Sequence, residues 1–167
     1  MIGPDELDIR PLTRAQAESL LTWRYPSPYD FYNPPPESDG VVDNLLDAKW
    51  HFHGVSQQDN FIGYASYGED GQLPGGHYVD DALDIGLGLR PDLIGQGFGI
   101  VFAGAIFDFA IERFDPIALR LTVAEFNARA LHLYLKLGFE EQAAFWHNRT
   151  RYRILTGRHR GASLAKA

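Results

Sequence analysis

The stretch Leu83 to Ile106, LDIGLGLRPDLIGQGFGIVFAGAI, leaves this chain few architectures to choose from. Leu83, Ile85, Leu87 and Leu89 alternate with Asp84, Gly86 and Gly88, a period of two that predicts a strand. Arg90-Pro91-Asp92 ends it. Gly95, Gly97 and Gly99 follow at alternate positions and lead into an apolar run of helical length. Strand, glycine-rich turn and helix together make an anion-binding device. Glycine lets the backbone approach a phosphate closely, and the N–H groups and dipole of the first helical turn face it. No Lys-Ser or Lys-Thr closes the turn, as a P-loop requires, and the Gly-x-Gly-x-Gly spacing departs from the Gly-x-Gly-x-x-Gly of dinucleotide folds. Little sequence precedes it that could form the first parallel half of such a fold. Taken alone, the glycines suit either a phosphate cradle or a flexible connection.

A second stretch, Leu119 to Phe139, reads LRLTVAEFNARALHLYLKLGF. Leu119, Leu121 and Val123 alternate as another strand, Asn127 is a good N-cap and Gly138 a good C′ residue. The two stretches together resemble the GNAT superfamily of acyl-CoA-dependent N-acyltransferases. The likeness is to its pyrophosphate loop, Arg/Gln-x-x-Gly-x-Gly/Ala, here Ile94-Gly95-Gln96-Gly97-Phe98-Gly99, and to its Asn-x-x-Ala-x-x-x-Tyr-x-x-x-Gly-Phe segment, here Asn127, Ala130, Tyr134, Gly138 and Phe139. It covers Asp84 to Phe139, about a third of the chain. Every signature position of the second motif matches. In the first, Ile94 replaces the usual Arg or Gln, which removes one side-chain contact to phosphate and leaves the backbone cradle intact.

The resemblance implies an α/β (α+β) fold, a mixed and mostly antiparallel twisted sheet of six to seven strands with about four helices on its two faces. It implies acetyl-CoA as co-substrate. The pyrophosphate would rest on the loop Gly95, Gln96, Gly97, Phe98, Gly99 and Ile100. The pantetheine arm would lie where the central strand parts from the next, held by backbone at Leu87, Gly88 and Leu89. Asn127, Ala130 and Tyr134 would complete the donor site, with Tyr134 at the sulfur.

Composition sets outer bounds. At 167 residues and 45% hydrophobic, the chain is long and apolar enough for one domain, 1–167, with a real core. It has no cysteine, which excludes disulfides and thiolate metal sites and is compatible with a cytoplasmic location. The net charge of −7 argues against nucleic acid and mildly for cationic partners such as amines, though acidity also serves solubility alone. Neither a leader-like start nor a membrane-spanning apolar run is visible. A homodimer is compatible with the sequence.

In chain order, Asp8 to Leu12 predicts a short strand stopped near Pro11, and Thr13 caps a helix over Ala15 to Arg24. Tyr25 to Pro36 holds five of the ten prolines and must be loop or extended. Its aromatics, with Tyr25, Tyr29 and Tyr32 foremost, would wall an acceptor pocket or cover a core edge. Asp39 predicts a cap for a helix reaching Lys49. Trp50–Val55 and Phe61–Tyr67 predict a hairpin turning at Ser56–Asn60. A long, nearly all-apolar helix follows the glycine loop and stops at Asp115-Pro116. Glu140–Trp146 and Arg151–Leu155 predict a terminal hairpin, and Gly157–Ala167 a frayed tail. Asp80 and Asp81 read as loop carboxylates.

Acetyl transfer to an amine needs a deprotonated nucleophile, a polarised carbonyl and a protonated or tolerated leaving thiolate. Asp84 is the best-placed carboxylate by strand position. Its ordinary pKa of about 3.9 makes it a base only through burial or a water relay, and positioning the amine is an equal alternative. His53 is the second candidate base or acceptor-site residue. A sheet histidine with a purely structural hydrogen bond is the plainer reading. His51 and His53 have no evident third ligand, so no metal is expected. Tyr134 lies on one helix face with Asn127 and Ala130, two turns apart. A phenol there suits a departing thiolate as general acid. The Leu87 or Gly88 N–H would polarise the carbonyl. The expected activity is direct transfer from acetyl-CoA to a primary amine, with a small-molecule acceptor favoured. A noncatalytic acyl-CoA-binding module, a protein N-terminal or lysine acetyltransferase and a nucleotide binder are the competing readings.

Overall fold

A computed structural model describes residues 3, 6–36, 38–79 and 81–158 of the chain; Asp80 and the predicted tail beyond 158 lie outside the described residues. Seven strands form one sheet: β1 (Leu7–Pro11), β2 (His53–Gln57), β3 (Asn60–Tyr67), β4 (Leu83–Leu89), β5 (Ala118–Ala124), β6 (Glu140–His147) and β7 (Thr150–Arg158). Their order is β1-β2-β3-β4-β5-β7-β6. Every neighbouring pair is antiparallel except β4 and β5. Four α-helices accompany the sheet: α1 (Arg14–Leu20), α2 (Val41–Leu46), α3 (Gly99–Phe114) and α4 (Ala128–Lys136). This is the mixed, mostly antiparallel α/β architecture implied by the sequence.

The period of two in β4 sorts its side chains between two layers. Ile85 is buried and Leu83, Leu87 and Leu89 pack on the core beneath α3, whose Phe102, Ala103, Ile106, Phe107 and Ala110 are buried. Each large apolar side chain buried there stabilises the fold by roughly 1.5–3 kcal/mol. The Tyr67 hydroxyl, on the same face of β3, donates to the Ile106 carbonyl at 3.3 Å. Tyr134 joins α4 to this layer through Phe107 and Phe139, with ring centroids 6.1 and 6.2 Å away. The opposite face carries α1 and α2. Leu20, Leu21 and Trp23 form a smaller core there with Val41, Val42, Leu45, Phe61 and Tyr64.

Local signals explain most boundaries. Thr13 and Gln16 form a reciprocal capping box at the start of α1. That helix stops at Leu20, short of the expected Arg24. Gly40, at φ 88°, takes the N-cap position of α2 in place of Asp39. The helix ends at Leu46, and Asp47 caps a separate 3-10 turn, Ala48–Trp50. That turn and left-handed His51 delay β2 from Trp50 to His53. Both hairpins turn on two positive-φ residues, Gln58-Asp59 and Asn148-Arg149, whose twist suits antiparallel strands. Gly157 sits in β7 opposite Leu119, so the chain stays paired past the point where fraying was predicted. Among the described residues no helix is long and apolar enough to cross a membrane.

Candidate active site

The parallel pair opens almost as soon as it forms. β4 and β5 are in register only at Leu83↔Leu119 and Asp84↔Arg120. Beyond Asp84 they part, and β4 keeps only its β3 partner. Antiparallel ladders alternate the direction of their main-chain groups. The Gly68 N–H bonds the Asp84 carbonyl and the Arg90 N–H bonds the Ile62 carbonyl, so the even-numbered residues of β4 face β3. Leu87 and Leu89 therefore turn their N–H and C=O toward the opening. Gly88 does not: its amide belongs to the β3 ladder, so of these two N–H groups that of Leu87 faces the opening. The Leu89 carbonyl is already occupied, accepting from the Tyr25 hydroxyl at 2.9 Å.

The glycines of β4 do not leave a vacant strip. The Tyr64 ring covers Gly88, where a Cβ would collide with it, and the Ser66 hydroxyl covers Gly86. They are small because β3 side chains lie across them.

At the far end of the opening, Gly95 and Gly97 adopt φ of 79° and 83°, a left-handed region that any other residue occupies with strain. No side chain caps α3. Its first-turn N–H groups have no intrahelical partner by geometry. Gly95, Gln96 and Gly97 are exposed, and Phe98, Gly99 and Ile100 half-buried. The Gln96 side chain turns back to the Asp92 carbonyl, leaving the cradle to backbone. A guanidinium stands beside this loop. Arg129 Nη1 lies 3.7 Å from where a Cβ on Gly95 would be, and its guanidinium stacks on Tyr29 at 4.5 Å. A cation in the first turn of α4 runs against the helix dipole. That local misfit is the signal by which Arg129 was legible, and the sequence reading missed it.

Tyr134 is 7% exposed. Burial, with Tyr32 and Tyr64 nearby, holds its phenol far above the ordinary tyrosine range, so it stays protonated at any working pH. Its hydroxyl has no hydrogen-bond partner among the described residues. Asn127 caps α4 by accepting from the Ala130 N–H at 3.1 Å, while its side-chain N–H donates to Tyr32 at 3.3 Å. Ala130 packs half-buried against the core.

Asp84 has a structural occupation. Arg120 Nε and Nη2 each donate to one of its carboxylate oxygens at 2.6 Å, and Gln72 donates to Oδ2 at 2.8 Å. Both partners are 3% exposed. The pair joins β4 to β5 at the last register position before they separate, with the Tyr78 ring 5.0 Å from the guanidinium. A carboxylate so engaged does not suit a general base. The sequence missed this because strand position fixes a side chain's face and says nothing of its partner. His53 lies on the α3 side of the sheet, packed against Tyr67 and Phe109, with Nδ1 2.8 Å from the His51 carbonyl. Burial lowers its pKa. It is thereby separated from the α1–α2 face.

On that opposite face a cavity of about 300 Å³ lies between α1, α2, β3 and the proline-rich loop. Trp23, Tyr25, Tyr32, Phe52 and Tyr64 line it, together with aliphatic side chains, Asn44 and Asp70. Tyr25 and Tyr32 thus line a cavity. Tyr29 instead packs toward Phe126 and Arg129. Asp70 escaped the sequence reading because it sits in the unpatterned loop after β3. Its Oδ2 accepts from the Ser66 hydroxyl at 2.7 Å and lies 3.5 Å from where a Cβ on Gly86 would be. Burial, Asp70 and Tyr32 push the Tyr64 phenol up to about 12. Among the described residues no three potential metal ligands converge.

An opened parallel strand pair followed by a glycine cradle fits the acyl-CoA-dependent transferase that the resemblance implied. The comparisons make this specific. A family model for an acetyltransferase (GNAT) domain matches residues 6–140, and the chain belongs to that family. The protein is accordingly an acetyltransferase that uses acetyl-CoA. No curated protein matches the sequence. Among solved structures, AAC(6')-Ib in complex with ribostamycin and coenzyme A is similar at TM-score 0.75 and 18% identity, over 92% of this chain and 94% of that one. Spermidine N-acetyltransferase from Vibrio cholerae, in complex with CoA and spermine, is similar at TM-score 0.69 and 19% identity, over 92% and 96%. A dodecameric structure of spermidine N-acetyltransferase from Vibrio cholerae gives 0.67 and 20%, over 92% and 94%. At these identities the structures establish a shared fold.

Proposed function

We propose that this chain transfers the acetyl group of acetyl-CoA to the primary amine of a small molecule by direct attack in a ternary complex. The carrying observation is the opening of β4 from β5 together with the uncapped N-terminus of α3; a buried, protonated Tyr134 on α4, whose hydroxyl has no partner among the described residues, supports it. In this reading the N–H groups from Gln96 to Ile100 hold the pyrophosphate, and Arg129 supplies the cation that Ile94 cannot. The pantetheine arm extends β4 as a strand would, at Leu87 and Leu89, and Tyr25 yields the Leu89 carbonyl to it. The Leu87 N–H faces the thioester oxygen.

The amine reaches the carbonyl after giving a proton to solvent. Its nitrogen bonds the carbonyl carbon and the C–S bond breaks; the Tyr134 hydroxyl gives its proton to the departing sulfur and takes back the proton that the attacking nitrogen sheds, so amide and CoA thiol leave with Tyr134 neutral again. Asp84 takes no part beyond fixing the base of the opening. The dependence on acetyl-CoA suits a cytoplasmic location. The acceptors bound by the structural neighbours, spermine and ribostamycin, support an amine in general terms.

Calorimetric titration with acetyl-CoA, beside NAD and ATP, tests the donor half. Micromolar binding of acetyl-CoA, on the order of −8 kcal/mol, without binding of the other two is expected. Thiol release on adding amines tests the transfer. Donor binding with no turnover across a broad amine panel would favour the noncatalytic reading.

A further inference from the structure

The acceptor pocket is unlike a site for a polycation. Among the described residues that line it, Asp70 is the one charged side chain. The rest of the wall is dominated by Leu20, Leu21, Leu45 and the rings of Trp23, Phe52 and Tyr64. Trp23 and Tyr64 lie with ring centroids 6.2 Å apart, and Phe52 and Tyr64 6.1 Å apart, so the aromatic surface is continuous. A second ammonium placed on it would lose water and find no carboxylate. A polyhydroxyl body would fare no better. It would meet a mostly apolar wall, with only the Tyr25, Tyr32 and Tyr64 hydroxyls, Asn44 and Asp70 to bond its many hydroxyls.

Asp70 stands at the exposed edge of this pocket, beside β4. Its carboxylate lies over Gly86, one residue before the outward-facing Leu87 main chain. Of its two oxygens, Oδ2 accepts from Ser66, which orients the group. No hydrogen bond holds Oδ1 among the described residues. It therefore sits where Asp84 was expected to act, and it lacks the arginine that occupies Asp84.

Resting on the proposed amine acetylation, we propose that the acceptor is a monoamine with an apolar, ring-sized body, recognised at its amino end by the Asp70 carboxylate. The cavity of about 300 Å³ is at the small end of ligand sites, which suits one ring and a short amine arm. The body lies against Trp23 and Tyr64, and the nitrogen meets Asp70 beside β4.

The test is a ranked panel on the full chain: 2-phenylethylamine and tryptamine against spermidine and ribostamycin, followed by thiol release from acetyl-CoA. The expected result is a kcat/KM at least tenfold higher for the two monoamines. Asp70→Asn, isosteric and able to keep the Ser66 contact, is expected to raise their KM at least tenfold with acetyl-CoA binding unchanged. Equal or better turnover of spermidine or ribostamycin would overturn the inference, as would an unaltered monoamine KM in D70N. Calorimetry of the amines without acetyl-CoA separates this inference from the function on which it rests. If acetyl-CoA does not bind, the transferase reading fails, while saturable binding of 2-phenylethylamine that D70N weakens still upholds the pocket. If acetyl-CoA binds and no amine of the panel binds or reacts, the pocket assignment is wrong.

Discussion

Asp84 and Asp70 lie fourteen positions apart and reach the same side of the sheet, yet they are in opposite electrostatic situations. Asp84 is closed in by Arg120 and Gln72, with both oxygens engaged. Asp70 accepts one hydrogen bond from a serine hydroxyl and lines a cavity. The first has an alternating strand pattern around it and drew attention for that reason. The second comes from an irregular loop after β3. The difference teaches that pattern locates a backbone and its faces, whereas availability for chemistry depends on which distant side chain folds back against a group.

The largest expected effect separates these carboxylates by stability. Asp84→Asn removes the carboxylate charge that two nitrogens of the buried Arg120 guanidinium bond, and breaking such a pair by one partner costs about 3–5 kcal/mol. Denaturant unfolding should show that loss, whereas Asp70→Asn should leave the midpoint within about 0.5 kcal/mol of wild type, as surface-like substitutions do. Replacing both members, Asp84→Leu with Arg120→Met, should recover much of the loss. A D84N protein of native stability and abolished turnover would reverse the comparison and restore Asp84 as base.

Tyr134→Phe comes next and should affect rate alone. Removing a general acid costs about a hundredfold or more in kcat, near 2.7 kcal/mol of transition-state stabilisation. The buried hydroxyl has no protein partner, so its removal should leave the thermal midpoint unchanged or raised. Stopped-flow thiol release and differential scanning calorimetry on one preparation would check both halves. A large fall in midpoint would mean that Tyr134 is chiefly a packed core residue.

Arg129→Ala should produce a smaller change confined to the donor. Losing one charged contact to phosphate should raise the KM for acetyl-CoA about tenfold, with kcat and the amine KM held. Removing a cation from the first turn of α4 should also relieve a dipole conflict of about 0.3–1 kcal/mol. Titration with CoA and with dephosphorylated pantetheine would locate the effect, since only the phosphate-bearing ligand should respond.

The donor half was legible because its parts are local. One strand period, alternate glycines and Asn127-to-Gly138 spacing are each contained within a dozen residues, and the resemblance they carry implied a sheet of six to seven strands, of which seven are present. Even there the ladder phase was hidden. Only the register of β3 shows that Leu87 faces the opening and Gly88 does not. The acceptor half is assembled from α1, α2, the proline-rich loop and β3, and the sequence supplied aromatics without saying which met which. Tyr29 turned toward Arg129 while Tyr25 reached β4. His53 was turned from the α1–α2 face by a parity that no local signal fixes: a left-handed His51 and a delayed strand start place it on the α3 face.

That displacement has its own, smaller consequence. Burial of His53 against Tyr67 and Phe109, more than any charge, lowers its pKa below the unfolded value of about 6.5; His51 and Arg113 add to the lowering, and the hydrogen bond to the His51 backbone partly opposes it. In the unfolded chain His53 takes up a proton as pH falls through about 6.5, and in the folded chain it resists. The stabilising contribution is therefore full above pH 6.5 and is lost as pH falls toward the depressed folded value. His53→Phe keeps an aromatic ring in the same packing and removes the titration. The stability difference between wild type and H53F should shift against wild type from pH 7.5 to 5.5, read from denaturant midpoints at each pH. Turnover by H53F at fixed pH should match wild type. A loss of activity specific to H53F, with stability preserved, would put the imidazole back in the acceptor site and break the division between the two faces of the sheet.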